Sequence, residues 1–503
     1  MASDPAPGPI AAVDGRSVTE FVKSPARLGQ RDRLAHHQGP VLSTDALIQP
    51  PQHHAYRPDI DGLRAVAVLM VVLYHFALPT LAIPGGYTGV DVFFVISGYL
   101  ITRLLMAAPA DAGALGEFYL RRFRRLYPAL LVVVTATLIA GYFLMMPGDY
   151  LDLGESARYA VFALGNLHFY GNTGYFDQAA ELQPLLHTWS LAVEEQFYLV
   201  WPFVILAARR LGGSRAVLGT CIAVVVAGFA YAGWAVQWEA KLAFYSPLSR
   251  AWELGLGALM VFVPALRSRR TATWANSAGI ALIAWSAFAL SDATVFPGPS
   301  ALFACLGSAL LVWAKDPGTW VSRLLAAEPM RTLGLLSYSL YLWHWPVLVF
   351  ALHDSGAALS AAQGLVLLAL VLVLAWMSWR WVEEPFRRRA FTPQTGRLLA
   401  AGGILAPCLL AAVIVLGGGL MNRLEPRAVP MSSLDVMWEW QPQQITQTPL
   451  HNQLAFGAPW DEARYRIVLW GDSHAEHLAP LLERTMAARE TTDVAVWRRA
   501  GAV

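Results

Sequence analysis

The chain has 503 residues, of which 56% are hydrophobic and only 14% charged, and its mean hydropathy is +0.44. Soluble domains carry about 25% charged residues, so this composition excludes an ordinary water-soluble globule and points to a bilayer as solvent. A net charge of +2 offers no electrostatic footprint for nucleic acid, and no nucleic-acid partner is expected.

Residues 1–55 are rich in Pro, Ala, Asp, Arg and His and contain no sustained apolar run. They read as a disordered cytoplasmic tail rather than a signal peptide, which needs an apolar stretch of about 7–15 residues behind a basic start. Beyond them, apolar runs recur at close to the roughly 20 residues that a spanning helix requires. Candidate spans cover roughly 63–82, 89–107, 127–146, 187–207, 216–236, 248–266, 274–290, 299–314, 333–352, 361–381 and 398–420, about eleven in all. The stretch near 155–170 is too polar to span and reads as an amphipathic helix outside the membrane. Basic residues gather in alternate loops, at 121–125, 208–215, 267–270, 315–331 and 386–391, while the loops between them hold only Arg158 and Lys241. The positive-inside bias then puts the N-terminus in the cytoplasm, and an odd number of spans puts everything after about residue 421 outside.

That outer part changes character. Residues 422–460 read as an extracytoplasmic linker. Within 461–503, "YRIVLWGDSH", "APLLERTMAAR" and "TDVAVW" read as strand, helix and strand, the opening of an α/β domain. Such a domain needs on the order of 100–150 residues, so the segment reads as truncated. Cys221, Cys305 and Cys408 lie far apart in apolar runs. They read as small core residues, with no metal spacing and no disulfide framework.

Ionisable residues inside spans are costly and often functional. Arg64 and His75 stand 11 residues apart in the first span, three turns on one face and about 16 Å along the axis. Asp91, early in the second span, fits either a structural cap or a carboxylate that orients His75. His187, Ser190 and Glu194 are spaced by three and four residues and share a helix face, while Glu195 points about 100° away. A His and a Glu on that face suit proton transfer or binding of a polyhydroxyl substrate, and equally a buried network that holds the bundle together. Arg250 and Glu253, three apart, suit a simple ion pair. The arginines of "FYLRRFRRLYP" fit positive-inside charge, and equally capture of a phosphate-rich cofactor, because guanidinium groups bind phosphate bidentately. His344 in "SYSLYLWHWPVLVF" reads as part of an aromatic packing cluster or interfacial belt.

Six stretches, "YRPDIDGLRAVAVLMVVLYHF", "GGYTGVDVFFVISGYLITRLL", "FYLRRFRRLYP", "HTWSLAVEEQFYLVWP", "SYSLYLWHWP" and "WRWVEEPFRRR", together resemble the bacterial acyltransferase-3 membrane family over roughly residues 56–390. The following "GDSHAEHL" resembles the first block of an SGNH hydrolase domain, as in fused proteins that O-acetylate lipopolysaccharide O-antigen, peptidoglycan or other surface glycans. The resemblance implies an all-α polytopic bundle of about ten helices (56–390), one linking transmembrane helix (391–421) and an incomplete SGNH-like α/β segment. It implies transfer of an acyl group, usually acetyl, from cytoplasmic acetyl-CoA to a glycan outside the bacterial inner (plasma) membrane. No metal is implied. The family's basic-residue-x10-His motif falls on Arg64 and His75. Its Arg-x-x-Arg motif best fits Arg122 and Arg125, with Arg121 and Arg124 in an overlapping register. Its glutamate best matches Glu194, and Ser473 matches the SGNH serine. The Asp-x-x-His that would complete an SGNH site is absent after Ser473, so that serine is expected to be incompetent in this chain. A permease with a His/Glu proton relay is the competing expectation.

Overall fold

Helix starts follow local chemistry. Pro58 opens α1 (Pro58–Phe76), with Asp59 and Asp61 in the first turn, where a fixed φ and negative charge both favour an N-terminus. The Asp111 carboxylate accepts from the Ala114 amide to cap α3 (Ala112–Leu144). Ser360 and Gln363 form a capping box on α13 (Ala361–Ser378). The computed structural model describes residues 56–78, 81–109, 111–172, 182–355, 359–423, 455–457, 465–471 and 494–500. The tail at 1–55, most of the linker and Ser473 lie outside them.

The described part up to residue 423 is helical. Between the elements named above lie α2 (Gly89–Ala107), and α4 to α12 at Pro147–Val161, Gly165–Gly171, Thr188–Trp238, Ala240–Tyr245, Pro247–Leu259, Arg269–Ala289, Leu302–Ala314, Trp320–Leu325 and Glu328–Ser355. After α13 a π-turn over Trp379–Glu383 leads into α14 (Glu384–Arg387), followed by α15 (Pro393–Leu416). Among the described residues, six helices are long and apolar enough to cross a membrane, and this is a multi-pass membrane protein. α6 holds two of the expected spans in one run, divided where Gly212 and Gly213 leave helical geometry, Gly213 at φ +60°.

Six is a count by length and composition alone; α6 holds two of the expected eleven spans, and α1, α8, α9 and α10 cover others without meeting that criterion. α8 and α10 have only 13 residues each. α1 carries Asp59, Asp61 and Arg64. These helices are packed among others and bury much of their surface, so they need not be uniformly apolar. The stretch near 155–170 is helical, as α4 and α5, and α4 buries Tyr150, Leu153 and Ala157 in the main core.

Two close crossings set the geometry of the interior. A Cβ on Gly98 of α2 would meet the Leu254 carbonyl oxygen at 1.8 Å, and one on Gly257 of α8 would meet the Val95 carbonyl oxygen at 1.9 Å. Asp91, seven residues before Gly98, meets Arg250, seven before Gly257, so α2 and α8 run side by side in one direction. α1 and α12 also run together, with Asp61 against Gly334 near one end and His75 against His344 near the other.

At the C-terminal end, β1 (Ala455–Gly457), β2 (Tyr465–Gly471) and β3 (Val494–Ala500) form a sheet of order β1-β3-β2. β2 and β3 are parallel, from Tyr465 opposite Val494 to Gly471 opposite Ala500. Both strands overlap the stretches that the sequence reads as strands. β1 is a correction: it falls within the expected linker and pairs antiparallel with β3.

Candidate active site

Two cavities lie along α1. The first, of about 70 Å³, is lined by Arg64, Ser97, Arg122, Arg125, Ser190 and Glu194, among others. Four sequence-separated motifs thus meet in one place. Glu194 of α6 is its centre: the hydroxyls of Ser97 and Tyr198 both donate to Oε1. Arg122 lies 3.6 Å from Glu194 and 3.8 Å from Glu195, with its guanidinium 3.4 Å from the centre of the Tyr198 ring. Two carboxylates and an aromatic face therefore hold this arginine in place. Arg125, one turn on, has no carboxylate within ion-pair distance among the described residues, and Arg64 has only Asp61, at 3.9 Å. Of the three, Arg122 is thus the most closely held.

The second cavity, of about 60 Å³, is lined by His75, His187, Arg250, Phe296, Tyr341 and Trp345, among others. His75 Nδ1 lies 3.2 Å from His344 Nε2, and His344 Nδ1 lies 2.5 Å from the Tyr341 carbonyl oxygen. The His187 ring stands 5.8 Å from that of His344. Tyr341 and Val90 line both cavities. The Tyr341 hydroxyl is 2.6 Å from Ser190 Oγ and donates to the His187 carbonyl at 3.0 Å. His187, Ser190 and Glu194 do share a face, and that face runs past both cavities, with His187 in one and Ser190 and Glu194 in the other.

Asp91 does not orient His75. Its carboxylate binds Arg250 at 3.0 Å, and Arg250 Nε lies 3.1 Å from Glu253. All three side chains are fully buried, and the guanidinium is ringed by Phe94, Trp189 and Phe296. A buried guanidinium left unpaired would cost several kcal/mol, so the carboxylate goes to the charge. Cys305 is buried in the core as the sequence suggests, with its sulfur within 4.8 Å of ligand atoms of Asp91 and Glu253.

Sequence reasoning missed Tyr341 and His344 as site residues. Their spacing of three on α12 was a usable signal, masked by the surrounding Trp and Tyr. It also missed Glu383, buried in the π-turn and hydrogen-bonded by Ser339 at 3.3 Å, within electrostatic reach of Arg125 and Arg64.

Residues 57–380 match the acyltransferase domain of the acyltransferase-3 family. This chain belongs to that family. It is 35% identical over 366 residues to BcsY of Komagataeibacter xylinus, described as a membrane-bound transacylase, covering 71% of this chain and 90% of that one. It is 31% identical over 361 residues to the peptidoglycan O-acetyltransferase OatA of Listeria monocytogenes, covering 67% of this chain and 56% of that one. It is 30% identical over 389 residues to the O-acetyltransferase OatA of Staphylococcus aureus, covering 72% of this chain and 63% of that one. The chain therefore spans under two thirds of the length of these two O-acetyltransferases. No solved structure matches it. As an acyltransferase-3 member it is an acyltransferase of the membrane, and both cavities lie within the matched domain.

Proposed function

We propose that this acyltransferase carries an acyl group, acetyl in the first instance, from cytoplasmic acyl-CoA to a hydroxyl of a cell-envelope glycan on the far side of the inner membrane. The observation that carries the reading is the pairing of two cavities along α1: a cationic one beside Arg64 and Arg125, and a histidine-lined one beside His75, with a shared wall at Tyr341. The relatives' O-acetyltransferase names support the acceptor class.

With the basic loops facing the cytoplasm, Arg64 and Arg125 take the phosphates of CoA from the inside. Arg122 and Glu194 fix the wall of that cavity. A pantetheine arm reaches on the order of 15–20 Å at ordinary bond lengths, matching the roughly 16 Å between Arg64 and His75 along the helix. The thioester then lies near Tyr341 and Ser190, within reach of His75. His75 acts either as general base on the acceptor hydroxyl or as a transient acyl carrier. By either route the thioester C–S bond breaks, an ester C–O bond forms, and the hydroxyl proton ends on the CoA sulfur. In this reading His187 and Ser190 contact the acceptor.

The test is His75→Ala in membranes supplied with radiolabelled acetyl-CoA. The expected outcome is normal insertion with loss of covalent label on the envelope polymer fraction. Undiminished labelling would overturn the role of His75, and uptake of label without covalent product would favour a permease.

A further inference from the structure

We infer that His344 is a positioning residue that sets the tautomer of His75, leaving the Nε2 lone pair of His75 free for chemistry. The inference rests on the reading of His75 above. A backbone carbonyl only accepts hydrogen bonds. His344 Nδ1 lies 2.5 Å from the Tyr341 carbonyl oxygen, so Nδ1 carries the proton. No carboxylate is in ion-pair contact with either ring among the described residues. A cationic ring here would be buried and uncompensated, at high cost. His344 is therefore neutral, and its Nε2 is an acceptor. The atom facing it is His75 Nδ1, 3.2 Å away. The ring planes are 23° apart with centroids at 5.3 Å, so the two imidazoles meet edge to edge. His75 Nδ1 must then be the donor, and its Nε2 carries the lone pair.

This chain of assignments starts at a main-chain carbonyl on α12 and ends at the reacting atom on α1. It does for His75 what a carboxylate does in many catalytic histidines, without placing a charge in the span. His344 is fully buried and Trp345 packs edge-on against His75 at 4.6 Å, so the pair is held in register. Either catalytic role of His75 needs a bare Nε2, whether it removes a hydroxyl proton or attacks the thioester carbonyl. The other tautomer would present an N–H and support neither.

Substitution at His344 tests this by reach. Glutamine places an amide oxygen near the former Nε2 position and can still accept from His75. Asparagine keeps a donor for the Tyr341 carbonyl and falls short of His75. Leucine keeps bulk and neither bond. In membranes containing the full chain, with radiolabelled acetyl-CoA as donor and the envelope polymer fraction as acceptor, His344→Gln should keep kcat within about threefold of the parent. His344→Asn and His344→Leu should lose on the order of a hundredfold in kcat, the scale of general acid–base catalysis, with KM for acetyl-CoA unchanged. If leucine fails to fold, the contrast between Gln and Asn still decides. Equal activity of the Gln and Asn variants overturns the inference, as does a parallel rise in KM. His75→Ala is run alongside. If it is inactive while His344→Asn is not, only the tautomer assignment falls. If His75→Ala is itself active, the role of His75 falls first.

Discussion

Arg122 and Arg125 show how neighbours in one motif come to hold different jobs. Arg122 is clamped by Glu194, Glu195 and Tyr198, while Arg125 faces the same cavity with no carboxylate within ion-pair distance among the described residues, Glu383 acting on it only from further off. Arg125→Ala should therefore raise KM for acetyl-CoA with little change in folding, by a loss of about 1.5–3 kcal/mol for a charged hydrogen bond. Arg122→Ala should instead lower the yield of folded protein, because it leaves two carboxylates without their cation. Arg267→Ala, at an exposed position, should do neither. Titrations of acetyl-CoA against detergent-purified variants, with melting temperatures, check all three; identical behaviour of Arg122→Ala and Arg125→Ala would remove the distinction. The Arg-x-x-Arg spacing was legible from sequence. The division of labour was not, because it depends on α6 residues some 70 positions away. His344 was hidden for a similar reason: its partner lies on another helix, and local aromatic content suggested only packing.

At the scale of elements, the crossing of α2 and α8 holds the buried Asp91–Arg250–Glu253 cluster together. Gly98→Leu should separate the two helices, since a Cβ there meets backbone rather than a movable side chain. The cost should be about 1–3 kcal/mol or more, read as lost monodispersity and a lower melting temperature. Gly116→Leu on α3 meets nothing within 4 Å and should leave both unchanged. Arg250→Ala should cost about 3–5 kcal/mol, as for removal of one partner from a buried ion pair. The helices themselves were largely readable from apolar run lengths. The short α8 was overextended at its C-terminal end, because a run of apolar letters records burial, and a helix surrounded by protein is buried without having to reach across a bilayer. Which helices cross was beyond reading, since Asp91 and Arg250 are far apart in sequence and no periodicity links them.

For the whole molecule, the proposed direction of transfer demands that the cationic cavity open toward the cytoplasm. Single cysteines at Arg124 and at Val295, in a version lacking native cysteines, should label from opposite sides with a membrane-impermeant maleimide: Arg124→Cys only in inside-out vesicles, Val295→Cys only in intact cells. Labelling of both from one side would reverse or dissolve the topology. The Tyr341 wall has a further consequence. A pore wide enough for CoA would also pass water and ions, and would short-circuit the membrane potential each time it opened. On the proposed reading, two small chambers that share a tyrosine in their wall would allow a two-carbon fragment to be handed over while the insulation stays intact. The cell would then spend one thioester per ester made, and no ion gradient would be lost through the protein that makes it.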